Sequence, residues 1–152
     1  MKFVSKNPEE TRKIAQEFLK TLRKSERATV VGLYGDLGTG KTAFSQFLGE
    51  ALGVHDPIQS PTFLIEKIYE LKRTPWEHLV HIDAYRLESS DELLNLGWRE
   101  IIKRPENLVL VEWADRVKEI LPENAYHIAI KHVEDDEREI HIEEGGEAPS
   151  SP

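Results

Sequence analysis

A glycine-rich segment over residues 35–42 constrains this chain more than any other feature. Its sequence, GDLGTGKT, fits the pattern G-x-x-x-x-G-K-[ST] at every defined position. It follows a short apolar run, ATVVGLY at residues 28–34, and precedes a stretch in which Phe44, Phe47 and Leu48 recur at helical spacing. A strand that leads through a glycine loop into a helix is the context that this motif requires. The segment therefore predicts a phosphate-binding P-loop within an α/β fold.

Each part of the predicted loop has a physical role in holding a nucleoside triphosphate and Mg²⁺. Gly35 and Gly40 permit backbone angles that residues with a Cβ resist, so that successive N–H groups can form an anion nest. The helix that begins near Lys41 adds its positive end to the same place. Lys41 is expected to reach the β- and γ-phosphates, and the Thr42 hydroxyl to bind Mg²⁺. The loop residues expected to contact the nucleotide are Gly35, Asp36, Leu37, Gly38, Thr39, Gly40, Lys41 and Thr42.

Two acidic residues at the ends of apolar runs are candidates for the catalytic carboxylates. Asp83 follows the run LVHI, and Glu112 follows the run LVLV. The carboxyl ends of parallel strands meet at the ligand crevice of an open α/β sheet, so both acids can face the phosphates. One would hold the metal, directly or through water, and the other would orient or activate the attacking water. The spacing leaves the two roles open, and a helix cap is the structural alternative for either acid.

Two further features lie beside these motifs. Ser60-Pro61-Thr62 stands between the P-loop helix and the next strand-like run, where P-loop proteins often carry a hydroxyl that senses the γ-phosphate. A turn with two hydroxyls is an equally good interpretation of that segment. Trp113 follows Glu112, which leaves a place near the site or in the core open, and its hydrophobicity favours the core. The sequence has no [NT]-K-x-D guanine-reading motif, which favours adenine, and so ATP, as the nucleotide.

Strand-like and helix-like stretches alternate along the chain, which predicts a mostly parallel sheet flanked by helices. Residues 126–130 and 140–142 alternate apolar and polar side chains on either side of the acidic turn Glu134-Asp135-Asp136. These two segments predict an antiparallel pair at the C-terminal edge of the sheet. We expect a single domain over residues 1–144, followed by a disordered tail over residues 145–152 that is rich in Gly, Pro and Ser.

Composition limits the classes of function that fit the chain. Acidic residues outnumber basic ones by 28 to 20, and the formal net charge of −8 argues against direct binding of a nucleic-acid backbone. The absence of cysteine excludes disulfides and thiolate metal sites. The sequence has neither an apolar run of membrane-spanning length nor the apolar region of a signal peptide, so a cytoplasmic protein that does not bind a membrane is expected.

Taken together, these motifs resemble the TsaE (YjeE) family of small bacterial P-loop ATPases. The resemblance extends from about Thr11 to Ile142 and combines the P-loop with an ordered set of shorter motifs. That set comprises Glu10-Thr11, Ser60-Pro61-Thr62-Phe63, His81-x-Asp83-x-Tyr85-Arg86-Leu87, Leu96-Gly97 and Glu112-Trp113. Two departures are mild: Ala43 stands where a second Thr is common, and Ala114 where Pro often follows Trp. Neither departure removes a phosphate-binding or metal-binding group.

The resemblance implies an ATP hydrolase that supports threonylcarbamoyladenosine formation at position 37 of tRNA. Members of this family bind a complex of TsaD and TsaB and hydrolyse ATP to reset it, and tRNA is held mainly by those partners. The resemblance also implies roles for six residues. Thr42 and Glu112 would bind Mg²⁺, and Asp83 would position or activate water. Ser60 and Thr62 would belong to a switch segment, and Thr11 would lie near the nucleoside. No residue stands out as an arginine finger in cis, so turnover is expected to be slow until a partner stimulates it.

Two other functions remain compatible with the sequence. A small-molecule kinase would have the same P-loop, together with an acceptor pocket and usually a lid with arginines, for which residues 99–104 are the candidate. A nucleotide-gated binding module would bind ATP without turning it over. Phosphoryl transfer to a metabolite instead of water would identify the kinase, and turnover stimulated by partners would exclude the binding module.

Overall fold

A computed structural model describes residues 1–36, 39–54 and 66–146 of the chain. Within these ranges seven strands form one sheet in the order β1-β7-β6-β2-β5-β4-β3. The strands are β1 (Lys2–Ser5), β2 (Thr29–Tyr34), β3 (Glu66–Glu70), β4 (His78–Asp83), β5 (Asn107–Glu112), β6 (Tyr126–His132) and β7 (Arg138–Glu144). The helices are α1 (Pro8–Thr21), α2 (Lys41–Ala51), α3 (Ser90–Asn95) and α4 (Trp98–Lys103), with a 3-10 helix over Ala114–Ile120. None of the helices in these ranges is long and apolar enough to cross a membrane.

The centre of the sheet is parallel and its edges are antiparallel. Strands β6, β2, β5 and β4 run parallel to one another, while β3, β7 and β1 are joined to the sheet by antiparallel pairing. Every residue of β2 and β5 is buried, as expected for strands covered on both faces by helices. The α/β fold predicted from the sequence, including the antiparallel pair of β6 and β7, is therefore confirmed.

The N-terminal strand β1 is a feature that the sequence pattern did not predict. It has four residues and pairs with β7, so that Phe3 lies opposite Ile140. Only Ser5 in this strand is buried, and no alternation of apolar and polar residues marks the segment. The strand forms because the edge of β7 has unpaired backbone groups with which it can pair. Backbone pairing of so short a segment does not require a recognisable pattern of apolar residues.

Two hydrophobic clusters hold the helices against the two faces of the sheet. Helices α1 and α2 contribute Phe18 and Phe44 to one cluster, where they pack with Val31 of β2. Trp98 and Val117 belong to the other cluster, with Val30 of the same strand. Successive side chains of a strand point to opposite faces, so β2 contributes residues to both clusters, as do β4 and β5. Its carboxyl end, which leads into the P-loop, is thereby held firmly from both sides.

The helix boundaries follow local signals with one exception. Asn7 followed by Pro8 predicts the start of a helix, and the Asn7 side chain accepts a hydrogen bond of 2.9 Å from the Glu10 N–H and caps α1. Gly97, which the sequence predicts to end or kink a helix, separates α3 from α4 with a φ of 90°. Ser89 and Glu92 have the spacing of a capping box, and the sequence therefore predicts one there. That prediction is wrong: the Ser89 hydroxyl makes no capping bond, and the Glu92 carboxylate accepts instead from the N–H of residue 88, at 3.1 Å.

The tail expected over residues 145–152 is described at its first two positions only. The Gly145 N–H donates to the Ala125 carbonyl at 2.8 Å, and the Gly146 N–H donates to the Glu123 carbonyl at 3.2 Å. These bonds fasten the end of β7 to the turn before β6. Residues 147–152 lie outside the described ranges, so disorder of the tail stays a prediction.

Candidate functional site

The P-loop connects β2 to α2 at the carboxyl end of the parallel strands. Gly35 and Gly40 have φ angles of 144° and 109°, which residues with a Cβ rarely adopt. A Cβ on Gly35 would overlap the backbone carbonyl of Ile130 and would approach the Thr39 hydroxyl to 2.8 Å. Glycine is therefore required at this turn for steric reasons. Four of the predicted site residues, Leu37, Gly38, Ser60 and Thr62, lie outside the described ranges.

Lys41 is buried at the first position of α2, above the loop that precedes it. Its Nζ donates hydrogen bonds to the carbonyl oxygens of Gly35 and Asp36, the latter at 2.8 Å. The same atom lies 4.0 Å from the centroid of the Trp113 ring, in a cation–π contact. Burial lowers the pKa of Lys41, and nearby carboxylates oppose this shift. Those carboxylates, from the strongest effect to the weakest, are Glu112, Asp36, Asp115 and Asp83.

Glu112 ends β5 with a carboxylate that is only 2% exposed. The Thr42 hydroxyl donates to Glu112 Oε1 at 3.3 Å. On the other side of the carboxylate, His81 Nε2 lies 2.5 Å from Glu112 Oε2, and His81 is fully buried. The sequence pattern did not anticipate this His81 contact. The Thr42 hydroxyl and the His81 imidazole thus orient the carboxylate at the amino end of α2.

Asp83 lies at the same edge of the sheet, at the end of β4. The parallel register of β4 and β5 places Asp83 directly opposite Glu112. One carboxylate oxygen of Asp83 accepts a hydrogen bond of 3.0 Å from the Tyr85 N–H. Ser89 precedes α3 and Trp113 precedes the 3-10 helix, so neither acid is the N-cap residue of the next described helix. The structure brings together the two acids that the strand ends predicted.

Trp113 lies both at the edge of the core and beside the glycine loop. It is partly buried and packs against the cluster that contains Trp98 and Val117, and its ring also covers Lys41 and has its centroid 4.9 Å from that of Tyr85. Trp113 has a φ of 58°, a left-handed conformation that is uncommon for a bulky residue. This backbone turn directly after β5 brings the ring to the loop. Residue hydrophobicity, on which the expectation rested, carries no information about such a turn.

Thr11 in α1 borders a small cavity beside the P-loop. The cavity has a volume of about 90 Å³, and its lining includes Thr11, Gly40 and Arg138. The Thr11 hydroxyl lies 2.6 Å from the hydroxyl of Ser5, which is fully buried. Arg138 comes from β7, and its Nε donates to the Thr39 carbonyl at 2.8 Å. No sequence motif marked Arg138 as a site residue.

The groups at this edge fit a triphosphate with Mg²⁺. Thr42 and Glu112 offer two oxygen ligands side by side, and Mg²⁺ usually takes one or two protein oxygens together with water and substrate phosphates. In the part of the chain that the structure describes, no group of three His, Asp or Glu side chains is placed to hold a metal ion. Mg²⁺ usually completes its coordination with phosphate and water oxygens. The buried ammonium of Lys41 supplies positive charge beside the glycine loop.

Comparisons with known proteins show which family the chain resembles. A family model described as threonylcarbamoyl adenosine biosynthesis protein TsaE matches residues 5–140. Two relatives are named tRNA threonylcarbamoyladenosine biosynthesis protein TsaE. The one from Bacillus subtilis (strain 168) is 41% identical over 140 residues, 92% of this chain and 83% of the relative. The one from Rickettsia bellii is 36% identical over 135 residues, 88% of each. A crystal structure of Bacillus subtilis YdiB is similar with a TM-score of 0.75 at 35% identity, over 96% of this chain and 86% of that chain.

Proposed function

The chain belongs to the TsaE family, and from that premise we propose that it is a Mg²⁺-dependent ATPase that supports threonylcarbamoyladenosine formation in tRNA. The family's role in this biosynthesis is stated in the names of its relatives. The hydrolytic activity rests on one observation: Lys41, Thr42 and Glu112 converge at the glycine loop, with Thr42 and Glu112 joined at 3.3 Å.

Each residue in this group has a defined task in the proposal. Lys41 binds the β- and γ-phosphates, exchanging its bonds to loop carbonyls for bonds to the nucleotide. Thr42 and Glu112 hold Mg²⁺, which when bound neutralises charge on the β- and γ-phosphates. Asp83 positions or activates water from the neighbouring strand end. Thr11 lies beside the nucleoside, at the cavity next to Gly40.

A kinase with an arginine lid receives no support from the structure. Residues 99–103 belong to α4, which packs against the sheet through Trp98 and Ile102. The Ile102 carbonyl accepts a hydrogen bond of 2.9 Å from the Ala28 N–H, just before the amino end of β2. The P-loop follows the opposite end of that strand. The candidate lid segment therefore lies away from the phosphates, which favours water over a metabolite as the acceptor.

We further propose that the partners of the chain are TsaD and TsaB, and that it reaches tRNA only through them. A net charge of −8 makes direct binding of tRNA unfavourable. Next to the site, Tyr85 is 42% exposed and packs against Trp113 with the two rings tilted by 49°. An exposed aromatic residue beside a catalytic edge suits contact with another protein.

Purified chain is expected to hydrolyse ATP slowly alone and faster with the TsaD–TsaB complex of the same organism. P-loop enzymes that lack an arginine finger are typically slow until a partner orders the site or adds charge. Phosphate release measured with and without the partners tests this, and Lys41→Ala protein prepared in parallel controls for contaminating ATPases. Turnover that the partners leave unchanged would refute the partner-stimulated mechanism, and phosphorylation of a metabolite would support the kinase.

A further inference from the structure

We propose that Arg138 is a positioning residue that sets the orientation of the Thr39–Gly40 peptide in the P-loop. This inference rests on the proposed function, because the peptide lies in the loop that would bind phosphate. Arg138 belongs to the C-terminal hairpin and is 99 residues away from Thr39 in sequence. It would connect a peripheral hairpin of the fold to the geometry of the anion nest.

The Arg138 guanidinium is fastened to the hairpin and to the loop at once. Its Nε donates to the Thr39 carbonyl at 2.8 Å. Its Nη1 donates to the carbonyls of Asp135 and Glu137, each at 3.1 Å. The turn itself is held by a bond of 2.7 Å from the Glu137 N–H to the Glu134 carbonyl. Because the planar guanidinium is held on two sides, its Nε–H has a fixed direction towards the loop.

That contact decides which way the next amide of the loop points. The described backbone contains no cis peptide, and in a planar trans peptide the C=O and N–H groups point in opposite directions. Holding the Thr39 carbonyl towards the hairpin therefore turns the Gly40 N–H away from it. Gly40 directly precedes α2, where unpaired N–H groups collect around an anion.

The hydrogen bond from Arg138 can fix the orientation of the Thr39–Gly40 peptide because glycine leaves this peptide free to rotate. Gly40 has a φ of 109°, and glycine populates several backbone regions at similar cost. Without Arg138 the 39–40 peptide can flip and present a carbonyl oxygen to the phosphates. A flipped peptide replaces an attractive dipole with a repulsive one, so the population of the flipped state lowers affinity for any ligand with linked phosphates.

The alternative to positioning is direct contact of Arg138 with the nucleoside, because the residue also lines the cavity beside Thr11. The two roles differ in their dependence on the ligand. Peptide orientation acts on phosphates whether or not a nucleoside is attached. Contact with the base or the ribose acts only on ligands that carry them. Inorganic tripolyphosphate and ADP therefore separate the two roles.

The experiment compares Arg138→Gln with wild type by equilibrium titration of ADP and of tripolyphosphate, each with Mg²⁺. Loss of one hydrogen bond to a charged group predicts that affinity falls about tenfold. The fall should be the same for ADP and for tripolyphosphate. Arg104→Gln is the matched control, because Arg104 is 65% exposed and lies 3.9 Å from its partner Glu106. Arg138→Lys, which keeps a charged donor without the planar fork, is expected to restore part of the affinity.

Melting temperatures measured on the same samples separate positioning from general stability. A lower melting temperature with both affinities unchanged would overturn the proposal, as would a fall for ADP alone. If Arg138→Gln does not fold, Arg138→Lys takes its place, and wild-type affinity for both ligands in that variant overturns the proposal. Wild-type chain that binds neither ligand would instead contradict the proposed function itself.

Discussion

Replacement of Lys41 by alanine is expected to weaken ATP binding by about a hundredfold or more. Hydrogen bonds to charged groups contribute about 1.5–3 kcal/mol each, and 1.4 kcal/mol corresponds to a factor of ten in affinity. An ammonium that bonds both the β- and γ-phosphates would thus contribute about 3 kcal/mol or more. The buried Nζ already lies at the loop, on the carbonyls of Gly35 and Asp36, and needs only a local change of partners.

The fold is expected to survive this substitution. The Lys41 side chain ends in a charged group whose pKa is lowered by burial, so keeping the ammonium there has an energetic cost that alanine removes. Circular dichroism and titration with ATP test both parts of the prediction. Lys20→Ala, at an exposed position of α1, is the control for loss of one positive charge. Unchanged ATP affinity in the Lys41 variant would contradict the P-loop assignment.

Glu112→Gln and Asp83→Asn are expected to reduce ATP hydrolysis more than ATP binding. Mutation of an outer-shell group that orients metal ligands typically lowers metal affinity or activity by roughly 10- to 100-fold, so we expect at least that loss for Glu112, which is proposed to hold the metal itself. Loss of a general base or water-orienting group typically costs roughly 10²- to 10⁴-fold, which we expect for Asp83. Both substitutions are nearly isosteric, so the hydrogen bonds from Thr42 and Tyr85 can persist.

Two quantities are measured for each variant: the rate of ATP hydrolysis with the partners present, and the affinity for ATP with Mg²⁺. Glu106→Gln is the matched control, because Glu106 precedes β5 at its amino end and Glu112 ends the same strand. The control should keep wild-type turnover. Wild-type turnover in both test variants would show that neither acid takes part in catalysis. A loss of ATP affinity as large as the loss of turnover would show that the carboxylate charge acts in ATP binding and not in hydrolysis.

The parts of the site that lie close together in sequence were predictable. The strand, the glycines, Lys41 and the start of α2 follow one another over residues 29–51, so local spacing specifies their geometry. Asp83 and Glu112 were predictable for a different reason. Each ends an apolar run, and parallel strands bring their carboxyl ends to one edge.

Other parts of the site depend on contacts that sequence spacing cannot express. Arg138 reaches Thr39 only because β7 pairs with β6 and β6 pairs with β2. The bond between His81 and Glu112 follows from the pairing of β4 with β5 and from burial of both side chains. Trp113 faces the loop because its backbone has a left-handed φ. Glycine adopts that conformation most readily, so a tryptophan in the sequence gives no indication of it. These features become visible only with the tertiary structure.

The most direct test of the central claim, that this chain binds ATP with Mg²⁺ at the P-loop, is calorimetric titration of the wild-type chain with ATP in Mg²⁺ and in EDTA. Thr42 and Glu112 lie side by side at the amino end of α2, so metal and phosphates should bind together. The predicted result is saturable binding of one ATP per chain that is tighter with Mg²⁺ than with EDTA. The absence of saturable ATP binding under both conditions would contradict the claim.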